Sequence, residues 1–237
     1  MYKFPAIFAL PLLLLAGLSG CGGGGGGGGA PSGPVTSTLS FPVQSGMNTL
    51  FANGFAKSFT ISGTCSGSGT RTAGPATTAT TFEGVAALSA VGTINFSYTN
   101  CTPATTAQTF TAYYNSSNYL PLGMNSVGVN YAVYLTPPTY PTSVTVGGTG
   151  IIGTQTLYTD STKTTGNGHV DGSYVVTADT ASTAIVTMIG KIYNAAGTLT
   201  ATEQDAWRIT ATGALTPVSV DIQAANGSTN HLVWTYN

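Results

Sequence analysis

AIVTMIGKIY at residues 184–193, followed by Asn194-Ala195-Ala196-Gly197, is the stretch whose reading decides the fold. Ile, Val, Thr and Tyr dominate it, and β-branched and aromatic side chains suit a pleated, half-buried surface better than a helix. The Asn and Gly that end it tolerate the positive φ of a tight hairpin turn. The same grammar extends in both directions. Residues 172–177 precede it behind Asn167-Gly168, and residues 207–211, 218–222 and 231–236 follow, the last two separated by Asn226-Gly227. The C-terminal fifty residues therefore read as an antiparallel meander.

Upstream, residues 58–64, 93–99 and 127–135 carry the same period-two alternation, and Asn53-Gly54 supplies another turn. From Phe41 onward no apolar pattern at i, i+3, i+4, i+7 persists beyond two turns, so helices are not expected. Residues 178–184 and 200–206 are ambiguous between helical turn and loop, because Thr and Ser compete with the backbone for hydrogen bonds. Pro137, Pro138 and Pro141 fall within five positions, which blocks ladder pairing and marks an expected boundary. The expectation is an all-β, antiparallel protein with sandwich-like domains or a meander, divided into residues 41–141 and 142–237.

Charged residues are only 5% of the 237, against about 25% in ordinary soluble domains, while Thr fills about a sixth of the chain. Solubility rests on hydroxyls and amides. Formal net charge is −1 and the six basic residues are scattered, so the clustered Lys and Arg of a nucleic-acid face are absent.

The N-terminus has a different character. Met1-Tyr2-Lys3 gives a short positive start, residues 4–15 are almost wholly apolar, and residues 16–20 are mostly small. That is the order of a signal peptide, residues 1–20, and the apolar run is short of the ~20 residues a permanent span needs. Leu18-Ser19-Gly20-Cys21 resembles the lipobox of bacterial lipoproteins. The resemblance implies that Cys21 takes a diacylglycerol thioether, becomes the first residue after cleavage and is acylated, giving a membrane-lipid partner through two or three chains. Asp after the Cys retains such proteins at the inner membrane. Gly22 stands there instead, which implies the outer membrane of a Gram-negative bacterium. Residues 22–34 are glycine with a few Pro, Ser and Ala, so residues 21–40 read as a flexible tether. The body is similar in general look to Gram-negative envelope lipoproteins, and an open meander like the half-barrels of lipid-carrier lipoproteins is the second fold expectation.

Cys65 and Cys101 each close a strand-like run, and in an exported chain they are expected to form a disulfide. No C-x-x-C spacing or neighbouring His favours a redox pair or a metal there.

Catalytic candidates are few. His169, Asp171 and Ser173 share a face if their segment is extended, as a base, its orienting carboxylate and a nucleophile would. Ser and Thr are so common that the third member carries little weight, and no G-x-S-x-G elbow is present. Asp160, Asp171 and Asp179 could offer oxygens to Ca²⁺, but their spacing does not match an EF-hand loop. Glu203 and Asp205 lie two apart, with Arg208 near enough to pair with one of them. A surface ion pair is the simpler expectation than a glycosidase dyad. Gly148, Gly150 and Gly153 satisfy G-x-G-x-x-G, yet residues 154–158 alternate like a strand, so a turn or bulge is expected. Tyr113, Tyr114 and Tyr119 head a tyrosine-rich third of the chain and are the binding candidates, for a glycan, lipid or protein partner. No cofactor or metal is expected, and the functional expectation is a lipid-anchored, non-enzymatic binding or structural module. An envelope hydrolase centred on His169 and Asp171 is the alternative.

Overall fold

A computed structural model describes residues 34–225 and 227–237. The expected signal peptide, Cys21 and most of the expected tether lie outside the described residues. These form one helix, α1 (Val43–Asn53), and thirteen strands. The strands are β1 (Phe55–Gly63), β2 (Gly67–Ala73), β3 (Thr78–Phe82), β4 (Val85–Tyr98), β5 (Thr105–Asn115), β6 (Pro121–Ser126) and β7 (Asn130–Val133). They continue with β8 (Thr149–Tyr158), β9 (Gly166–Ala178), β10 (Thr183–Tyr193), β11 (Leu199–Thr210), β12 (Leu215–Ala224) and β13 (His231–Tyr236).

Each strand from β4 to β13 pairs antiparallel with the next, as a meander should. Two further pairings close the sheet. β1 pairs with β13, Phe59 opposite Tyr236, and β2 pairs with β4, Thr70 opposite Asn95. β2 and β3 lie one after the other along the same edge of β4, so they act as one strand interrupted at residues 74–77. The result is a twelve-stranded antiparallel barrel. The expected sandwich is absent because a continuous meander whose first and last strands meet leaves no second sheet to stack. β7 and β8 pair directly, Tyr131 opposite Tyr158, so the proline segment expected to divide two domains is a connection within one sheet.

Alternation sets the two faces of the wall. On β11 the buried residues are Ala201, Glu203, Asp205, Trp207 and Ile209, and on β10 the same side carries Val186, Met188 and Ile192. The opposite side is rich in hydroxyls and amides: Ser58, Thr60 and Ser62 on β1, Thr93, Asn95 and Ser97 on β4, Thr202 and Gln204 on β11. A membrane-spanning barrel has the reverse sense, with an apolar outer band. Here the apolar face is inside.

Eight strands enclose about enough space for side chains alone, and twelve enclose more. Large side chains and a plug fill the difference. At one end Phe59, Ile94, Phe110, Val170, Leu232 and Trp234 pack together, with Phe59 stacked on Trp234 at 5.0 Å. The Cys65–Cys101 disulfide, with Cα atoms 5.7 Å apart, ties the ends of β1 and β4 there. At the other end α1 packs Val43, Met47, Leu50 and Phe51 against Val176, Val186, Met188, Trp207 and Ile209.

The helix was not expected from sequence. Its inward positions do follow i, i+4, i+7, i+8, but it has only eleven residues, and no side chain caps its first turn. So short a helix is marginal alone and is stabilised by the lumen it enters. Gly46 allows the approach, since a Cβ there would lie 2.4 Å from the Gly213 carbonyl oxygen. The chain reaches the helix docked on the wall: Val35 bridges to Asp179, Ser37 Oγ donates to the Ala181 carbonyl, and Phe41 bridges to Val144. The expected tether thus gives way to ordered contacts from Val35 onward.

Candidate ligand site in the barrel lumen

Between the two packed ends lies a cavity of about 130 Å³. An apolar cavity of about 150 Å³ is enough to bind benzene. This one differs because charged groups reach into it. β11 supplies Glu203 and Asp205, 2% and 1% exposed, followed on the same face by Trp207. β2 supplies Arg71, its side chain 11% exposed. Three strands separate β2 from β11 along the wall, so the Arg71–Asp205 ion pair, at 3.6 Å, spans the lumen. The Arg71 guanidinium also donates to the Tyr236 hydroxyl from β13 at 3.3 Å and lies over the Phe55 ring of β1 at 5.6 Å. Phe51 of α1, Tyr114 of β5, and Tyr134, Tyr140 and Gln155 complete much of the lining.

Burial disfavours charge on every one of these groups, and the neighbours decide how far. Burial first, then repulsion from Asp205, pushes the Glu203 carboxyl well above the usual range, against the pull of Arg71. The Asp205 carboxyl is also raised by burial, with Arg71 opposing it more directly. Burial works against the Arg71 charge too, yet Tyr236, Asp205 and Glu203 together hold its guanidinium above its ordinary value. Desolvation pushes Tyr134 up to about 12 and raises Tyr114 and Tyr140 further, so these phenols stay neutral. Glu203 Oε2, both Asp205 carboxylate oxygens and Trp207 Nε1 have no hydrogen-bond partner. A buried polar atom left unpaired costs about 1–3 kcal/mol, and a charged one more.

The structure relocates several expected residues. Glu203 and Asp205 form no surface pair with Arg208. Arg208 faces outward and grips Asp179 through two hydrogen bonds, 2.7 and 3.0 Å, while the two acids face inward toward Arg71. The tyrosine trio divides. Tyr114 lines the cavity, and Tyr113 lies on the outer face stacked on Phe82 at 4.3 Å. Tyr119 sits in the β5–β6 connection with φ 56°, partly buried beside Tyr114.

His169 and Asp171 do come together, at 3.8 Å, on the outer wall, where the imidazole stacks on Tyr193 and Asp171 accepts from Thr154 Oγ1. Ser173 follows two positions on, and no residue of its strand lines the lumen cavity. Asp160 accepts from Thr162 in its own turn and Asp179 is held by Arg208, so the three aspartates share no ion site; among the described residues no three metal-binding side chains converge. Gly150 and Gly153 lie in β8, whose register shifts between Ile151 and Gly153, the bulge expected of that glycine run.

Arg71 was missed by sequence reading. Its segment, GSGTRTA, is polar and glycine-rich, with no apolar alternation to mark an inward face. No protein-family model, no curated protein and no solved structure matches this chain.

Proposed function

We propose that this chain is a lipid-anchored cell-envelope protein whose barrel binds a small ligand in its lumen, without catalysing a reaction on it. A closed antiparallel barrel is compatible with a binding role, since small-molecule sites favour concave, mostly apolar pockets with a few placed polar groups. One observation carries the reading: a lumen cavity lined by aromatic rings into which Arg71, Glu203 and Asp205 project, with Glu203 Oε2 left without a partner. Evolution toward stability alone would fill such a space with apolar side chains, because replacing a buried ion cluster by well-packed apolar groups is often neutral or stabilising. The anchoring half of the proposal is supported by the lipobox-like residues 18–21 and the glycine run behind them.

Native mass spectrometry of the protein purified from envelopes tests the binding half. The wild type is expected to carry a non-covalent mass that denaturation releases. Ala112→Phe, which fills the cavity from β5, is expected to lose it. Wild-type protein with no added mass, and no thermal shift with any member of a small-metabolite panel, overturns the reading. Cys21→Ser tests the anchoring half, with loss of radiolabelled acyl incorporation and release from the membrane fraction as the expected result.

A further inference from the structure

Resting on the lumen-binding reading above, we propose that the site selects a small organic cation, an ammonium carried on a compact apolar body. The argument begins with the charges. Two acids project into the cavity, and one guanidinium answers them. The other described basic residues are occupied elsewhere. Lys57, on the same side of the β1–β2 pair as Arg71, turns its ammonium to the Asn237 carbonyl oxygen at 3.5 Å and does not line the cavity. Lys163 pairs with Glu83, and Arg208 pairs with Asp179. Lys191 lies on the outer face of β10 opposite Asp171. His231 meets Asp221 and His169 meets Asp171, both on the outer side of the wall. In the ligand-free lumen Arg71 pairs with Asp205 at 3.6 Å and burial disfavours charge on the second acid, Glu203, so an entering monocation supplies the counter-charge that lets both carboxylates ionise.

Two independent features point to the same chemistry. Glu203 Oε2 is a fully buried acceptor without a donor, Asp205 is met by Arg71 at 3.6 Å, longer than a normal hydrogen bond, and an ammonium supplies up to three N–H donors or, if quaternary, a full charge. Around them the walls are aromatic: Phe51, Phe55, Tyr114, Tyr140 and Trp207. Ring faces attract cations, Trp most strongly, and the effect grows when water is excluded. The Arg71 guanidinium over the Phe55 ring shows this lumen already holding one cation in that way. A fatty acyl chain would leave Glu203 without a partner, and an anion would be repelled by the two acids. A volume of about 130 Å³ limits the body to roughly the size of a single six-membered ring.

Isothermal titration calorimetry on the mature full chain tests the assignment with three probes of one shape: benzylamine, benzyl alcohol and benzoate. Benzylamine is expected to bind, and the neutral and anionic probes to bind about ten- to hundredfold more weakly, the discrimination typical of a hydrogen bond to a buried charge. Glu203→Gln and Asp205→Asn are each expected to weaken benzylamine by about tenfold or more and to leave benzyl alcohol nearly unchanged. Circular dichroism confirms the fold of each variant, and two variants guard against one failing to fold. Benzyl alcohol or benzoate binding as tightly as benzylamine overturns the cation assignment and leaves lumen binding standing. Absence of benzylamine heat at millimolar concentration also overturns it. Lumen binding itself stands or falls separately, on the non-covalent mass carried from envelopes.

Discussion

Replacing Glu203 by Gln should stabilise the ligand-free protein at neutral pH. Glu203 is 2% exposed, and burial together with Asp205 raises its carboxyl well above the ordinary 4.5. A carboxyl whose folded value is raised contributes stability that is fully present below the unfolded value and is lost as pH rises through the folded one. Each pH unit between the unfolded value and the raised folded one costs about 1.4 kcal/mol per group. For a chain of this size each such unit is worth about 3–6 °C in melting temperature. Arg71, Tyr236 and Tyr114 are the titratable or charged groups that face the pair from β2, β13 and β5, and each is raised above its ordinary value, away from the carboxylate range. The assay is urea unfolding from pH 4.5 to 8, followed by intrinsic fluorescence. Wild-type stability should fall with rising pH, and Glu203→Gln should flatten the slope and gain at the alkaline end. A wild-type curve that is flat or rises across that range would refute the buried acidic pair, as would a Glu203→Gln variant with the wild-type slope.

Arg71→Ala should cost about 3–5 kcal/mol, because it strands two buried acids, whereas Arg208→Ala should cost at most about 1 kcal/mol, its partner being near the surface; equal effects by denaturant titration would contradict the assigned positions. Cys65→Ser with Cys101→Ser should lose about 4 kcal/mol on the chain-entropy estimate for a separation of 36 residues. Mass measurement of unreduced mature protein should show neither cysteine alkylated. Gly69→Ala places a Cβ 2.3 Å from the Phe59 ring and 2.4 Å from the Asn95 carbonyl oxygen, so a loss of about 1–3 kcal/mol is expected, read as a lowered urea midpoint.

The C-terminal meander was legible because its strands obey local rules: β10 begins and ends at residues 183 and 193, and β13 covers the 231–236 expected from alternation. Closure was not legible. No local pattern tells β1 that its neighbour is β13, and a sandwich and a barrel draw on the same alternation. β2, β3 and β5 were missed because Thr, Ser, Gly and Ala on both faces erase the contrast that reveals an inward side. The site was half legible. Ala201, Glu203, Asp205, Trp207 and Ile209 recur with period two, so the acids stood in phase with apolar residues, a signal of burial that the nearby Arg208 obscured. Arg71 gave no signal at all, since its role depends on reaching across the lumen.

Phe59 of the first strand lies against Tyr236 of the last, and that single seam sets an order on assembly. A chain delivered from its N-terminus presents β1 and β2 long before β13 arrives. Until then the outer edge of β1 is a row of unpaired peptide groups beside a lumen that has no lid, the kind of edge that recruits a stranger's strand. Loop closure of this span is slow relative to local hairpins. The Thr- and Ser-covered outer side of β1, poor in apolar surface, is thus a safeguard for the interval as well as a solvent-facing wall for the finished barrel. It keeps the waiting edge soluble until its partner, the final strand to emerge, completes the ring.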